Sequence, residues 1–237
     1  MRCLLRLPAI LVALAAASLG GCSDGSDEAA ARVRLLNASS GYQSLDLYVN
    51  ADDSDSDSLK SEGVAFAALS DYTEVDSGTY DVKFKRNGIS STLLTLSDEK
   101  LADDSDATYV AYGPSGRFSV MEIGEDVESP SDGDRSKLQV LNVSEAGALD
   151  IYLTDSDVAL EDASPLFASV ADSSGMLTTD RGDYRLRITA AGDASDVRLD
   201  IPTITLQGQK VASLILTETT GGALVDALML PQRGSLT

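Results

Sequence analysis

One stretch of this chain is written twice, and that constrains its folding more than any other feature. "VRLLNASSGYQSLDLYV", Val33 to Val49, matches "LQVLNVSEAGALDIYL", Leu138 to Leu153, with one gap. "GTYDVKF", Gly78 to Phe84, matches "GDYRLRI", Gly182 to Ile188. Asp46 and Asp150 lie 104 residues apart, and so do Tyr80 and Tyr184. Two matches at one offset, in one order, mean that one folding pattern serves both halves. Later, "ATYVAYG" (Ala107 to Gly113) parallels "KVASLIL" (Lys210 to Leu216), and Arg117 to Ile123 parallels Ala223 to Leu230 more loosely. Between the halves runs "GEDVESPSDGDRS", Gly124 to Ser136, which has almost nothing to bury and reads as a linker. The expected organisation is a unit over 32–124, a linker over 125–136 and a second unit over 137–237. Each unit is long enough to bury a core without disulfides.

The period inside each unit is two. In "TYDVKFK", Tyr80, Val82 and Phe84 share one face, and Asp81, Lys83 and Lys85 the other. In "DYRLRIT", Tyr184, Leu186 and Ile188 alternate with Arg185 and Arg187. That alternation marks half-buried strands, and Gly78 and Gly182 mark the turns that start them. Further strands are expected at Arg32 to Asn37, Gly63 to Leu69 and Ser91 to Leu96, with counterparts in the second unit. No segment has convincing helical periodicity. Many short strands with turn signals between them predict an all-β chain of two tandem antiparallel β-sandwich domains, immunoglobulin- or transthyretin-like. Pro202 suits an edge strand or a bulge. In "LDLYV", Leu45, Leu47 and Val49 point inward, which leaves Asp46 and Tyr48 outward, as with Asp150 and Tyr152. Asp46 and Asp150 are then expected to pair across strands with Lys83, Lys85, Arg185 and Arg187 on the solvent face, each pair worth about 0.2–1 kcal/mol.

Three features resemble the family known as domain of unknown function 4397, found in bacterial envelope and secreted proteins. They are the apolar first strand closing in a Ser-bearing turn ("LLNAS", "VLNVS"), the apolar-Asp-apolar-Tyr-apolar strand ("LDLYV", "LDIYL") and the Gly-x-Tyr strand start ("GTYDV", "GDYRL"). The resemblance covers two tandem copies. It implies a small all-β domain and no established activity, and it transfers no catalytic residue. Family members often carry His where this chain has Asn37 and Asn142.

The N-terminus carries an address. Arg2 and Arg6 precede an apolar run, Leu7 to Leu19, too short and too Ala-rich for a comfortable membrane span. This is the anatomy of a secretory signal, residues 1–21. "LGGC", Leu19 to Cys22, resembles the lipobox of bacterial lipoproteins, which implies cleavage after Gly21 and lipidation of Cys22. Several acyl chains hold a membrane stably where one does not. Cleavage leaves 16 basic residues against 38 acidic ones, so the lipid has to supply the attachment. Ser23 rather than Asp after the Cys implies sorting to the outer membrane, on its periplasmic face or at the cell surface. Residues 22–31 read as a short polar tether.

The formal net charge of −20 repels nucleic acid, so no nucleic-acid partner is expected. There is no His, which excludes Ser-His-Asp and Cys-His chemistry. The tract Asn50 to Ser58 places acids at Asp53, Asp55 and Asp57, but as a calcium loop it fails at the Gly and the final Glu, having Ser58 and Val64 there. "TDSDVALED", Thr154 to Asp162, fills the same loop in the second unit. "RGD", Arg181 to Asp183, is explained by the repeat, since Gly182 matches Gly78. "SDEK", Ser97 to Lys100, has the S-x-x-K spacing without its companion motifs and reads as an exposed polar connection. "NAS" and "NVS" read as turn chemistry where a strand ends. No catalytic, cofactor or metal residue is assigned. The expected function is a lipid-anchored cell-envelope protein acting as a non-enzymatic binding or structural module. The alternative is a glycan- or peptide-binding accessory subunit of an envelope assembly. The expected partners are the membrane, through Cys22, and an envelope protein or glycan.

Overall fold

A computed structural model describes residues 30–51, 56–124, 127–219 and 225–231. Apart from one 3-10 turn at Leu160–Asp162, its regular structure is all strand. The first half contributes β1 (Ala30–Ala38), β2 (Ser44–Ala51), β3 (Ser58–Ala65), β4 (Thr73–Asp76), β5 (Gly78–Arg86), β6 (Thr92–Leu101), β7 (Asp106–Tyr112) and β8 (Ser119–Gly124). The second contributes β9 (Arg135–Asn142), β10 (Leu149–Thr154), β11 (Phe167–Val170), β12 (Ser173–Asp180), β13 (Gly182–Ala190), β14 (Asp193–Leu206), β15 (Val211–Glu218) and β16 (Val225–Met229). They form four four-stranded sheets, β4-β1-β7-β8, β3-β2-β5-β6, β12-β9-β15-β16 and β11-β10-β13-β14. Each strand of the first half thus has its counterpart eight strands later.

Pairing is antiparallel with two exceptions: β1 runs parallel to β7, and β9 to β15. The expected purely antiparallel arrangement is corrected there. The late repeat also shifts. Arg34 opposes Thr108 and Gln139 opposes Ser213, so Ala107 corresponds to Ala212 rather than to Lys210. The "SDEK" tract is no connection; it lies within β6, with Asp98 at φ 59°. Pro202 sits on the edge strand β14, where its register with β13 shifts. Of the expected strand Gly63 to Leu69, only the start belongs to β3; Leu69 instead bridges Leu36.

Alternation builds the cores. Leu35, Leu45, Leu47, Val82, Phe84 and Tyr109 come from both N-terminal sheets and bury fully in one cluster, with the Phe84 and Tyr109 rings edge-to-face at 5.7 Å. Leu138, Leu149, Ile151, Leu186, Ile188 and Leu214 do the same in the second half. β7 and β15 break the alternation, because they are buried along nearly their whole length. Their second face makes a third cluster of Leu36, Ala38, Val110 and Ile123 against Leu141, Val143, Ile215 and Leu230. By strand register these are four pairs of equivalent positions. The two halves therefore meet through the same face of each, as subunits do in an isologous dimer.

The twice-written Asp is not a solvent-face partner of lysine. Asp46 is only 4% exposed and Asp150 5%. Asp46 Oδ1 accepts the Gly63 backbone N–H at 2.7 Å and the Asn87 Nδ2 at 3.0 Å. Asp150 accepts the Ser169 N–H at 2.7 Å on Oδ1 and the Gly192 N–H at 2.9 Å on Oδ2. Gly63 and Ser169 have φ of 63° and 53°, at register shifts of β3 and β11. The carboxylate thus satisfies a donor that the bulge takes out of the ladder, and it ties the edge strand to the next turn. Lys83 and Lys85 instead converge on Asp57 at 2.8 and 2.5 Å. Arg185 pairs with Asp200 at 2.6 Å, and the buried Arg187 donates to Thr154 Oγ1 and the Val158 carbonyl.

The other repeated signatures are also fasteners. Asn37 Nδ2 donates to the carbonyls of Tyr42 and Val64, and its Oδ1 accepts the Ser39 N–H. Asn142 repeats this with Gly147, Val170 and Ser144. In the Gly-x-Tyr starts, the Tyr80 hydroxyl donates to the Asp76 carbonyl at 2.8 Å and Tyr184 to the Asp180 carbonyl at 2.9 Å. The Tyr80 ring lies over Gly78, where a Cβ would meet it at 3.1 Å.

Candidate functional site

The interface between the halves is symmetric in its apolar centre and asymmetric at its two ends, which adjoin at Glu145, whose N–H belongs to one and whose carboxylate belongs to the other. At one end Thr217 reaches across, its hydroxyl donating to the Ala38 carbonyl at 2.6 Å. Glu218 completes that closure, accepting Ser40 Oγ at 3.2 Å and the Glu145 N–H at 3.0 Å. At the other end the position equivalent to Thr217 is Tyr112, whose ring packs on the apolar cluster and has no short hydroxyl to bridge with. There the halves part into a cleft of about 260 Å³. Tyr112, Arg117, Ser119 and Met121 line it from the first half, and Val143, Glu145 and Asp172 from the second.

Strand pairing fixes these side chains. Tyr112 and Ser119 are direct partners across β7 and β8, so they lie side by side on one face. Asp172 follows β11, where its carbonyl accepts the Asn142 N–H at 2.7 Å. The Arg117 guanidinium, on the β7–β8 turn, spans the cleft mouth to the Glu145 carboxylate, with Nη2 to Oε2 at 2.6 Å. Backbone packing sets the turn: a Cβ on Gly113 would fall 2.2 Å from the Arg117 carbonyl oxygen. Arg117 is largely exposed, so its ion pair is worth at most a fraction of a kcal/mol and can open. Among the described residues, the side chains of Tyr112, Ser119 and Asp172 make no hydrogen bond to protein.

Electrostatics elsewhere is structural. Hydrogen bonds from Lys83 and Lys85 hold the Asp57 carboxyl below the usual carboxylate range. Burial pushes the Tyr109 phenol well up. Lys85 also lies over the Tyr48 ring, 4.3 Å from its centre. The RGD arginine, Arg181, pairs with Asp134 at 3.0 Å, and Asp183 accepts Thr205 Oγ1 at 2.5 Å. Of the acidic loop, Asp53 and Asp55 lie outside the described residues, and Asp57 is committed to its lysines. Among the described residues no group of His, Cys, Asp and Glu side chains is placed to hold a metal ion, and no helix is long and apolar enough to cross a membrane. Cys22, with the rest of the leader and most of the tether, lies outside the described residues. Of the sequence-derived candidates, only the "NVS" turn, Asn142 to Ser144, lines the cleft, with Asn142 committed to its backbone fastener. The unpartnered residues Tyr112, Ser119 and Asp172 carry no motif; only a correct alignment of β7 on β15 would have exposed Tyr112 as the odd member of the Tyr112–Thr217 pair.

No curated protein sequence matches the chain. Among solved structures, it is similar to the carbohydrate-binding module CBMbc (family CBM26) of Eubacterium rectale Amy13K, solved with maltoheptaose. Identity is 11%, covering 84% of this chain and 96% of that one, with a TM-score of 0.26. It is also similar to the tip fimbrial protein Mfa3 of Porphyromonas gingivalis, at 10% identity over 84% of this chain and 98% of that one, with a TM-score of 0.25. The family described as domain of unknown function DUF4397 matches residues 31–152, from β1 into β10 and just over half of the chain, and the chain belongs to that family.

Proposed function

We propose that this is a lipid-anchored protein of the bacterial cell envelope, held by acylated Cys22 and sorted to the outer membrane, that binds a partner without chemistry. In this reading residues 32–124 and 137–237 are two copies of the family's domain. Each is an eight-stranded β-sandwich of transthyretin-like rather than immunoglobulin kind, since the two-sheet order with a central parallel pair departs from the four-plus-three order of an immunoglobulin constant domain. The partner is an envelope protein or glycan, and the binding site is the cleft between the copies. One observation carries the reading: matching positions of a pseudo-symmetric interface differ, one closed by Thr217 and Glu218, the other open and lined by Tyr112, Ser119 and Asp172, whose side chains have no hydrogen-bond partner among the described residues.

The test is photo-crosslinking in living cells. A photoreactive residue replaces Ser119 in the cleft or, as control, the exposed Val197 on an outer sheet. The expected result is a discrete adduct from position 119 that is absent from position 197. The same adducts from both positions, or none from 119, would refute the cleft as the site.

A further inference from the structure

The unpartnered groups of the cleft specify a chemical class of ligand. The Arg117–Glu145 pair at the mouth is neutral as a unit. What remains is the Asp172 carboxylate, which only accepts, and the Tyr112 and Ser119 hydroxyls, each of which can accept. Met121 and Val143 supply an apolar wall beside them. A primary ammonium group brings three N–H donors and no acceptor, on a stem that prefers an apolar surface. Three acceptors therefore meet three donors, and the Asp172 charge meets the ligand's. An anion would find the opposite: a net negative cleft in a chain of net charge −20. The whole-molecule field also draws cations toward the site. The half-buried Tyr112 ring adds the electron-rich face that cations favour.

We propose that the cleft binds a primary amine presented by a peptide, as a lysine side chain or a free amino terminus. This rests on the cleft being the binding site. It needs no step of chemistry, and the Arg117–Glu145 pair acts as an openable clasp over the stem.

The test uses the full chain purified in detergent. The probe is a capped pentapeptide with a central lysine among glycines. Its comparators carry Nε-acetyl-lysine or norleucine at the centre, or an uncapped amino terminus with no lysine; maltoheptaose supplies the glycan arm. Saturable binding of the lysine peptide is expected, at least tenfold weaker for the acetylated and norleucine peptides, and weakening as salt rises. Asp172→Asn should lose tenfold or more, and Ser119→Ala and Tyr112→Phe a few-fold each. Asp172 is exposed, so the Asn variant should melt with wild type, which separates lost binding from lost folding. The uncapped peptide decides which source of amine is preferred; equal binding of both still supports the class. Equal binding of the acetylated peptide, unchanged binding by Asp172→Asn, or no binding of either amine would overturn the proposal. Saturable maltoheptaose binding lost in Tyr112→Ala would keep the cleft as the site while refuting the amine. If no probe binds and the Ser119 crosslinks also fail, the site itself falls.

Discussion

The two buried carboxylates differ in one detail that a single conservative substitution will read out. Both hydrogen bonds to Asp46 end on the same oxygen, Oδ1. The bonds to Asp150 are split between Oδ1 and Oδ2, and both donors are backbone N–H groups. An asparagine has one acceptor oxygen and one donor nitrogen. In Asp46→Asn the oxygen can keep both donors, losing only the charge assistance that roughly doubles such bonds. With neutral bonds worth about 1 kcal/mol and charged ones about 1.5–2 kcal/mol at the lower end of their range, the two bonds together lose about 1–2 kcal/mol. In Asp150→Asn either orientation sets the new NH2 against a backbone N–H of Ser169 or Gly192. One charge-assisted bond is lost and the other weakened, about 3–5 kcal/mol in all. For a chain of this size 1 kcal/mol moves the melting temperature by about 2–4 °C. Thermal denaturation followed by circular dichroism should therefore place Asp46→Asn a few degrees below wild type and Asp150→Asn roughly 10 °C below. Equal effects, or a larger one for Asp46→Asn, would refute the split-acceptor reasoning. Two variants melting with wild type would restore the solvent-face reading.

Tyr109 is fully buried, and its hydroxyl has no hydrogen-bond partner among the described residues, a state that costs about 1–3 kcal/mol. Tyr109→Phe should raise the melting temperature by a few degrees, and a fall would show that the hydroxyl is bonded. Asp57, whose pKa Lys83 and Lys85 depress, contributes stability that is present above the unfolded value of about 3.9 and lost as the pH falls through its lower folded value. Denaturant titrations of wild type and Asp57→Asn should thus differ by a constant above pH 5 and converge below pH 4; convergence on the alkaline side would reverse the sign and reject the assignment. Metabolic labelling with a fatty-acid analogue should mark the wild-type protein and not Cys22→Ser; equal labelling would remove the anchor.

Strand identity was legible where one face meets solvent. "TYDVKFK" alternates because β5 belongs to an outward-facing sheet, and Val82 and Phe84 bury as the period demands. The same period misjudged Asp46, because it tells which side of a sheet a residue takes and not what lies on that side. There β3 bulges at Gly63 and hands the carboxylate a backbone donor. In β7 and β15 the period disappears, since the core takes one face and the opposite half the other. Without alternation nothing fixed the register of "ATYVAYG" on "KVASLIL", and an alignment two residues out hides the Tyr112–Thr217 pair. The cleft was illegible for that reason: it arises from a difference between equivalent positions, and no local motif records it. The parallel pairing of β1 with β7 joins strands separated by most of a unit and leaves no local trace either.

Two identical subunits meeting across a twofold axis must repeat every feature on both sides of it. A mutation that opened one end of such a contact would open the other and weaken the whole association. Joining the halves in one chain removes that constraint. Position 112 is Tyr where position 217 is Thr, so one end holds the halves together and the other stays open. In the proposed reading, a single chain thus separates cohesion from recognition along one seam. Among chains built on this pattern, variation should concentrate at positions 112, 117, 119 and 172, while the Thr217 end stays fixed.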